Sequence, residues 1–212
     1  MKKLLSLCLF AIFLLTLGGC NITPLPETSS VRHEYNSNDP NKNLFLQFLH
    51  DEIPVTNYGE DNKALFFSDI DSAKIEKEDK RFFIVDMDGD GKPELCYLYP
   101  AMLDIVRYNE ETECFELWLS EGQHQRPLGE GQMWEHTSLM SAFVDSYFLY
   151  DEHANLLKSI SYGMGAKDLD TNYYQIDGVD VTEGEWRTAS AWLLKLIENA
   201  PEPLSLNELY EI

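Results

Sequence analysis

The chain has 212 residues, of which 37 are acidic and 16 are basic, so its formal charge is −21. A surface with this charge repels phosphate backbones, which excludes nucleic-acid binding as the expected function and favours cations and basic partners. The length suits a single domain with one substantial core.

The first twenty residues predict an exported protein that is attached to a membrane. Lys2 and Lys3 precede an apolar run over residues 4–17, which is too short for a comfortable membrane span but typical of an export signal. The run ends in Gly18-Gly19-Cys20, which resembles the lipobox of bacterial lipoproteins. This resemblance implies transfer of diacylglycerol to the Cys20 thiol and removal of residues 1–19 as a signal peptide. A plain N-terminal helix, or a secretory signal that is cut elsewhere, is the alternative.

A lipid anchor on Cys20 would hold the protein at the extracytoplasmic face of a bacterial cell membrane, since two or more acyl chains bind a bilayer stably. Residues 20–40 are polar, with few apolar anchors, and predict a flexible tether. The membrane is thus one expected partner. An extracytoplasmic protein or glycan of unknown identity is the other.

The folded domain is expected over residues 41–212 and begins with a helix. Asp39 and Pro40 suit the N-cap and first turn of this helix, which carries an apolar face and stops before Pro54. Residues 55–80 have no clear period and predict mainly loop, with one strand at residues 64–67.

From residue 81 onward, short runs rich in aromatic and β-branched residues alternate with polar turns and predict antiparallel strands. The predicted strands are residues 82–85, 95–99, 104–108, 114–119, 141–150, 156–162, 173–176 and 179–181. Thr182 and Glu185 form a capping box before a second helix, which ends before Pro201. The sequence therefore predicts an α+β domain, in which one antiparallel β-sheet of hairpins carries an N-terminal and a C-terminal helix packed on it.

The acidic loop between the first two of these strands carries the strongest functional pattern. Its sequence is Asp86-Met87-Asp88-Gly89-Asp90-Gly91-Lys92-Pro93-Glu94. Carboxylates stand at loop positions 1, 3, 5 and 9, a glycine allows the sharp turn at position 6, and position 7 offers a main-chain carbonyl. Oxygen donors in this arrangement are typical of Ca²⁺ loops. The predicted Ca²⁺ ligands are Asp86, Asp88, Asp90, Lys92 through its carbonyl, and Glu94.

Residues 82–95 resemble the strand–loop–strand calcium turn of FG-GAP and VCBS-type repeats, and of uncharacterised bacterial lipoproteins that carry one such turn. The resemblance implies that the acidic residues of the loop bind calcium. No second DxDGDG motif occurs at a repeat spacing, which argues against a repeat-built propeller. The loop also differs from a complete EF-hand, because position 12 is Tyr97 and because strands rather than helices are predicted on both sides.

Two further features leave alternatives open. Residues 168–172 also alternate acidic and amide oxygens, but they lack the loop glycine and the carboxylate at position 9, so a second calcium site is the weaker interpretation. Cys96 and Cys114 would lie outside the cytoplasm, where a disulfide can persist. Each also falls in an apolar segment that suits a buried free thiol, so a bridge and two free cysteines are both expected outcomes.

The sequence contains no nucleophile elbow, no HExxH motif and no phosphate-binding loop. At least two of the four tryptophans fit amphipathic core positions, so a core role is favoured over a sugar-stacking surface. We therefore expect a lipid-anchored, extracytoplasmic calcium-binding module with a binding or envelope-associated role and no catalysis. The alternative is a surface-anchored hydrolase that acts on glycan or peptide.

Overall fold

The computed structural model describes residues 40–58, 63–70, 80–99, 102–122, 124–168 and 171–211. These residues belong to one compact unit, Arg32–Ile212. The predicted signal peptide, Cys20, the tether up to residue 39 and the N-cap at Asp39 lie outside them. Among the described residues, no helix has the length and apolar character needed to cross a membrane.

The described residues form four helices and two six-stranded sheets. The helices are α1 (Pro40–Leu49), α2 (Phe67–Ile70), α3 (Glu183–Glu198) and α4 (Leu206–Glu211). The strands are β1 (Val55–Tyr58), β2 (Lys63–Leu65), β3 (Arg81–Val85), β4 (Glu94–Tyr99), β5 (Met102–Asn109), β6 (Cys114–Gly122), β7 (Gln125–Gly129), β8 (Gln132–Leu139), β9 (Ala142–Tyr150), β10 (Leu156–Ala166), β11 (Asn172–Ile176) and β12 (Val179–Val181).

The first sheet has the strand order β2-β1-β6-β5-β4-β3, with β1 parallel to β6 and the other pairs antiparallel. Helix α1 packs on one of its faces, where Phe45 and Phe48 lie against Phe115 of β6. The opposite face is also buried, which explains why β4 is almost continuously apolar.

The second sheet is an antiparallel meander with the order β12-β11-β10-β9-β8-β7. One face carries α3, whose Trp186 and Leu193 pack with Tyr147 and Tyr162 of the sheet. On the other face, Met133 and Tyr150 join the inner face of the first sheet in a shared apolar cluster. The layers therefore follow the order α1, first sheet, second sheet, α3.

The prediction of a mainly antiparallel α+β domain with an early and a late helix is confirmed at this level, whereas the single sheet is wrong. Six of the eight strands predicted after residue 81 begin and end within two residues of the observed strands, whereas β6 runs on to Gly122 and β10 to Ala166. Residues 55–58 form a strand instead of a loop, the strand expected at residues 64–67 is observed at Lys63–Leu65, and Phe67 begins α2. Strands β7 and β8 were not predicted, because Pro127 and the polar residues of β8 hide their period.

The sequence left the state of Cys96 and Cys114 open, and the structure has both as free thiols. Cys96 is aligned with Ile105 of β5, whereas Cys114 is aligned with Asn109. These two rows of the sheet are four residues apart, about 13 Å along the strands. A disulfide would therefore require a large movement of the backbone.

The core below α1 predicts a large cost for truncating Phe48, which is completely buried. Its ring centroid lies 5.3 Å from that of Phe67 and 4.9 Å from that of Phe115. Phe48→Ala should lower the free energy of unfolding by about 3 to 5 kcal/mol, because it removes this packing and leaves a cavity. Urea unfolding measures the change, and Phe66→Ala, at a side chain that is 40% exposed, is the control. Equal losses in the two variants would contradict the described core.

Candidate metal site

The acidic loop joins β3 to β4, and the cross-strand pair Val85 and Glu94 closes it. Gly89 and Gly91 adopt φ angles of 80° and 85°, in the left-handed region that glycine occupies without strain. Met87 is fully buried in the cluster between the two sheets. The loop is thus pinned by one apolar side chain, and Asp86 and Asp88 on either side of it are partly buried.

Main-chain N–H groups of the loop bond to the acidic side chains and fix their orientation. Asp86 accepts from the N–H groups of Gly89 at 2.8 Å and Gly91 at 2.9 Å through its two oxygens. Asp88 Oδ1 accepts from the Asp90 N–H at 3.1 Å. These bonds hold the backbone in a tight curve around the carboxylates. A loop needs this curvature if several of its oxygens are to converge on one ion.

Glu94 is the acidic residue of the loop that is most enclosed, with 2% of its surface exposed. Its Oε2 accepts from the Met87 N–H at 2.5 Å and from the Asp88 N–H at 3.3 Å. Burial raises the pKa of Glu94 to about 8, the Met87 N–H opposes this rise, and the nearby charges of Asp88 and Asp86 add to it. A buried carboxylate of this kind is stabilised as an anion by N–H donors and by positive charge that comes close.

The structure brings together three of the five predicted ligands. Asp86, Asp88 and Glu94 each place one carboxylate oxygen within 4.8 Å of the others. Asp90 is outside this group, and its Oδ1 accepts from the Lys92 N–H at 2.7 Å. The Lys92 side chain turns away to Glu110, so only its main-chain carbonyl remains as a candidate donor.

Three carboxylate oxygens around one point fit a hard divalent cation, because such ions prefer charged oxygen ligands. The buried position of Glu94 adds to the fit. The donor set by itself does not distinguish Ca²⁺ from Mg²⁺, since both ions bind carboxylates.

Arg107 of β5 also belongs to this site, and the sequence pattern missed it. Its Nη1 lies 3.3 Å from Asp88 Oδ2, and its Nη2 lies 3.7 Å from Glu116 Oε2. Burial raises the pKa of Asp88 above its ordinary value, whereas the Asp90 N–H and Arg107 lower it. Arg107 and Asp88 are 19 residues apart, so no local spacing links them. Only the pairing of β4 with β5 places them together.

The β7–β8 turn adds a second contact that the sequence did not indicate. The Glu130 N–H donates to the main-chain carbonyl of Asp86 at 2.7 Å. Gly129, with φ of 99°, approaches so closely that an added Cβ would lie 3.3 Å from Val85. The start of the acidic loop is therefore held by the second sheet as well as by its own hairpin.

The other predicted features fall in three places. Trp118 and Trp186 are 8% and 7% exposed, which confirms a core role for these two, and Trp134 and Trp192 are half-buried in the cluster under α3. The weaker calcium candidate at residues 168–172 includes residues 169 and 170, which lie outside the described part of the chain. The capping box of Thr182 and Glu185 is confirmed.

Comparison with known proteins finds no match for this chain. No protein-family model matches it, and neither a curated protein nor a solved structure shows significant similarity.

The raised pKa of Glu94 predicts how the stability of the metal-free protein depends on pH. The folded pKa of about 8 exceeds the ordinary value of 4.5, so between these values the folded state binds more protons than the unfolded state. The free energy of unfolding should therefore decrease as the pH rises from about 5 to about 8. Urea unfolding in the presence of a chelator measures this slope.

Glu94→Gln should flatten the slope, because glutamine does not titrate. Glu111→Gln, at an exposed position in the β5–β6 turn, is the control and should leave the slope unchanged. A slope that persists in Glu94→Gln would show that another group causes the dependence.

Proposed function

We propose that this protein is a lipid-anchored, extracytoplasmic module that binds one Ca²⁺ ion in the loop of residues 86–95. The observation that carries the proposal is the convergence of oxygens from Asp86, Asp88 and Glu94, one of which belongs to a buried carboxylate. The Asp90 side chain and the Lys92 carbonyl would complete the ligand set after a small adjustment of the loop. Calcium is preferred to magnesium in the proposal, because a flexible loop does not easily impose strict octahedral geometry.

A bound ion would act on the structure of the loop and not on a substrate. It would supply the positive charge that the buried Glu94 carboxylate otherwise gains only by protonation. The loop is bonded to the second sheet through Asp86 and Glu130. Ordering the loop would therefore stiffen the region where the two sheets meet, and we assign the protein a binding or envelope-associated role toward a protein or glycan partner.

Membrane attachment through Cys20 is the second part of the proposal. The run of residues 4–20 supports it, with its charged start, its short apolar stretch and its cysteine after two glycines. Anchoring would leave the acidic domain outside the cytoplasm, where calcium is available at about millimolar concentration and a weak site suffices.

One observation favours a hydrolase as the second candidate. His136 Nδ1 lies 2.8 Å from Asp145 Oδ1, which also accepts from Trp134 Nε1 at 3.0 Å, and 46% of the His136 side chain is exposed. A carboxylate that orients a histidine in this way is a common part of acid–base sites. Hydrolysis of a glycan or peptide that is lost in His136→Ala would establish this alternative over the binding module.

Calorimetric titration of the domain with CaCl₂ tests the calcium site. We expect one ion to bind with a dissociation constant on the order of 10⁻⁴ M, as in extracellular calcium modules. Calcium at ten times this concentration should raise the free energy of unfolding by roughly 1.4 kcal/mol.

Asp88→Ala should abolish the heat of calcium binding because it removes one of the converging oxygens. Asp180→Ala, on the edge strand β12, removes the same charge and should bind calcium as the wild type does. An unchanged titration in Asp88→Ala, or no heat in the wild type, would refute the site.

The anchor is tested in the full precursor expressed in a bacterium that processes lipoproteins. Cys20→Ala should abolish lipidation and leave the precursor uncleaved or release the protein from the membrane. Detergent-phase partitioning after membrane fractionation is the measurement. A variant that still partitions into the detergent phase like the wild type would show that Cys20 is not the anchor.

A further inference from the structure

Arg107 connects the acidic loop to the turn between β9 and β10. Its Nη1 lies 3.3 Å from Asp88 Oδ2 and also 3.3 Å from the main-chain carbonyl of Glu152, in the β9–β10 turn. The Asp88 side chain is 8% exposed and that of Arg107 is 35% exposed, so solvent screens this charge pair only in part. One guanidinium thus holds a loop carboxylate of the first sheet and a turn of the second.

Arg107 is the cation that the loop already has. Among the described residues, Arg107 is the one cation that forms an ion pair with Asp86, Asp88, Asp90 or Glu94, through its contact with Asp88. Lys92, although it belongs to the loop, directs its amine to Glu110 at 2.7 Å. The guanidinium therefore neutralises part of the acidic cluster without any external ion.

A divalent ion in the loop would meet Arg107 at Asp88. Asp88 Oδ1 accepts from the Asp90 N–H, and Asp88 Oδ2 faces the guanidinium. The Arg107 contact of 3.3 Å is longer than the 2.7 to 2.9 Å that is usual for a strong charge-assisted bond. Because two cations close to one carboxylate repel each other, the ion and the guanidinium should compete for this residue.

Glu116 offers Arg107 a second place to bind. Arg107 and Glu116 face each other across the β5–β6 pair, and Arg107 Nη2 already lies 3.7 Å from Glu116 Oε2. The other Glu116 oxygen accepts from Asn109 Nδ2 at 2.7 Å, which fixes the carboxylate in place. A small shift of the guanidinium would exchange Asp88 for a partner that is already oriented.

We propose that Arg107 competes with the divalent cation for Asp88. When the cation binds, the guanidinium moves from Asp88 toward Glu116, and the Glu152 carbonyl loses one of its two donors. The proposal rests on the proposed function, because it describes the regulation of the same loop. Trp118 Nε1 still donates to the Glu152 carbonyl at 2.9 Å. The turn of residues 151–155 therefore stays attached but becomes looser when the ion binds.

Calcium titrations of a small set of variants test the competition. Arg107→Gln should bind calcium about fivefold more tightly than the wild type, at the lower end of the usual coupling between two sites. Glu116→Gln should bind calcium more weakly, because Arg107 then has only Asp88. Arg107→Lys keeps the charge and should stay closer to the wild type. Arg187→Gln, which removes an exposed arginine of α3 that pairs with Glu183, controls for net charge and should not change the affinity.

Hydrogen exchange of the wild type gives a second readout that is independent of affinity. The backbone N–H groups of residues 151–155 should exchange faster with saturating calcium than with a chelator. In Arg107→Gln the same groups should exchange at a rate that calcium does not change.

The outcomes separate this inference from the proposed function. Calcium binding by the wild type with equal or weaker binding by Arg107→Gln overturns the competition and leaves the calcium site intact. Binding by Arg107→Gln but not by the wild type supports the competition in its strongest form. Absence of binding in both proteins, with both folded by circular dichroism, overturns the calcium site and the competition together.

Discussion

The burial of Met87 between the two sheets is the constraint on which the candidate site depends. This side chain is fully buried and lies in the cluster that joins Phe83 and Cys96 of the first sheet to Met133 and Tyr150 of the second. Because Met87 is fixed, its two neighbours in the chain are fixed as well. Asp86 precedes Met87 and Asp88 follows it, and both residues direct a carboxylate oxygen toward Glu94 at the other end of the loop.

The negative charge of the acidic loop must be offset by protons, N–H donors or cations. Three carboxylates share a small volume, and one of them is almost fully removed from water. The cost of burying that charge is reduced in two ways: protonation of Glu94, and the N–H groups of Met87 and Asp88. The guanidinium of Arg107 offsets the neighbouring charge of Asp88. A divalent ion would add positive charge to the loop, and it would compete with the protonation of Glu94 and with Arg107.

The two sheets contribute differently to this arrangement. The first sheet is covered by α1 on one face and by the second sheet on the other, so β3 and β4 form a rigid frame for the loop. The second sheet supplies turns that touch this frame. Gly129 and Glu130 contact the start of the loop, and Glu152 contacts Arg107 beside it. The acidic loop and Arg107 therefore contact turns of the second sheet as well as the strands of the first.

The sequence by itself determined the local features. The alternation of apolar and polar residues gave most strands, the capping box gave the start of α3, and the spacing of acids and glycines gave the loop and its candidate ligands. These features depend on neighbours within a few residues, and local geometry fixes them. Strand β7 and the polar part of β8 were missed because Pro127 and a run of polar side chains carry no clear period.

Only the tertiary structure decided the division into two sheets, the parallel pairing of β1 with β6, the free state of Cys96 and Cys114, and the place of Arg107 beside Asp88. Each of these depends on which strands lie next to each other and which faces meet. Pairing between strands that are far apart in the sequence is set by the packing of the whole core. Such pairing has no local sequence pattern from which it could be predicted. The sequence therefore supplied the acidic loop, and the fold supplied the buried carboxylate and the guanidinium that govern its charge.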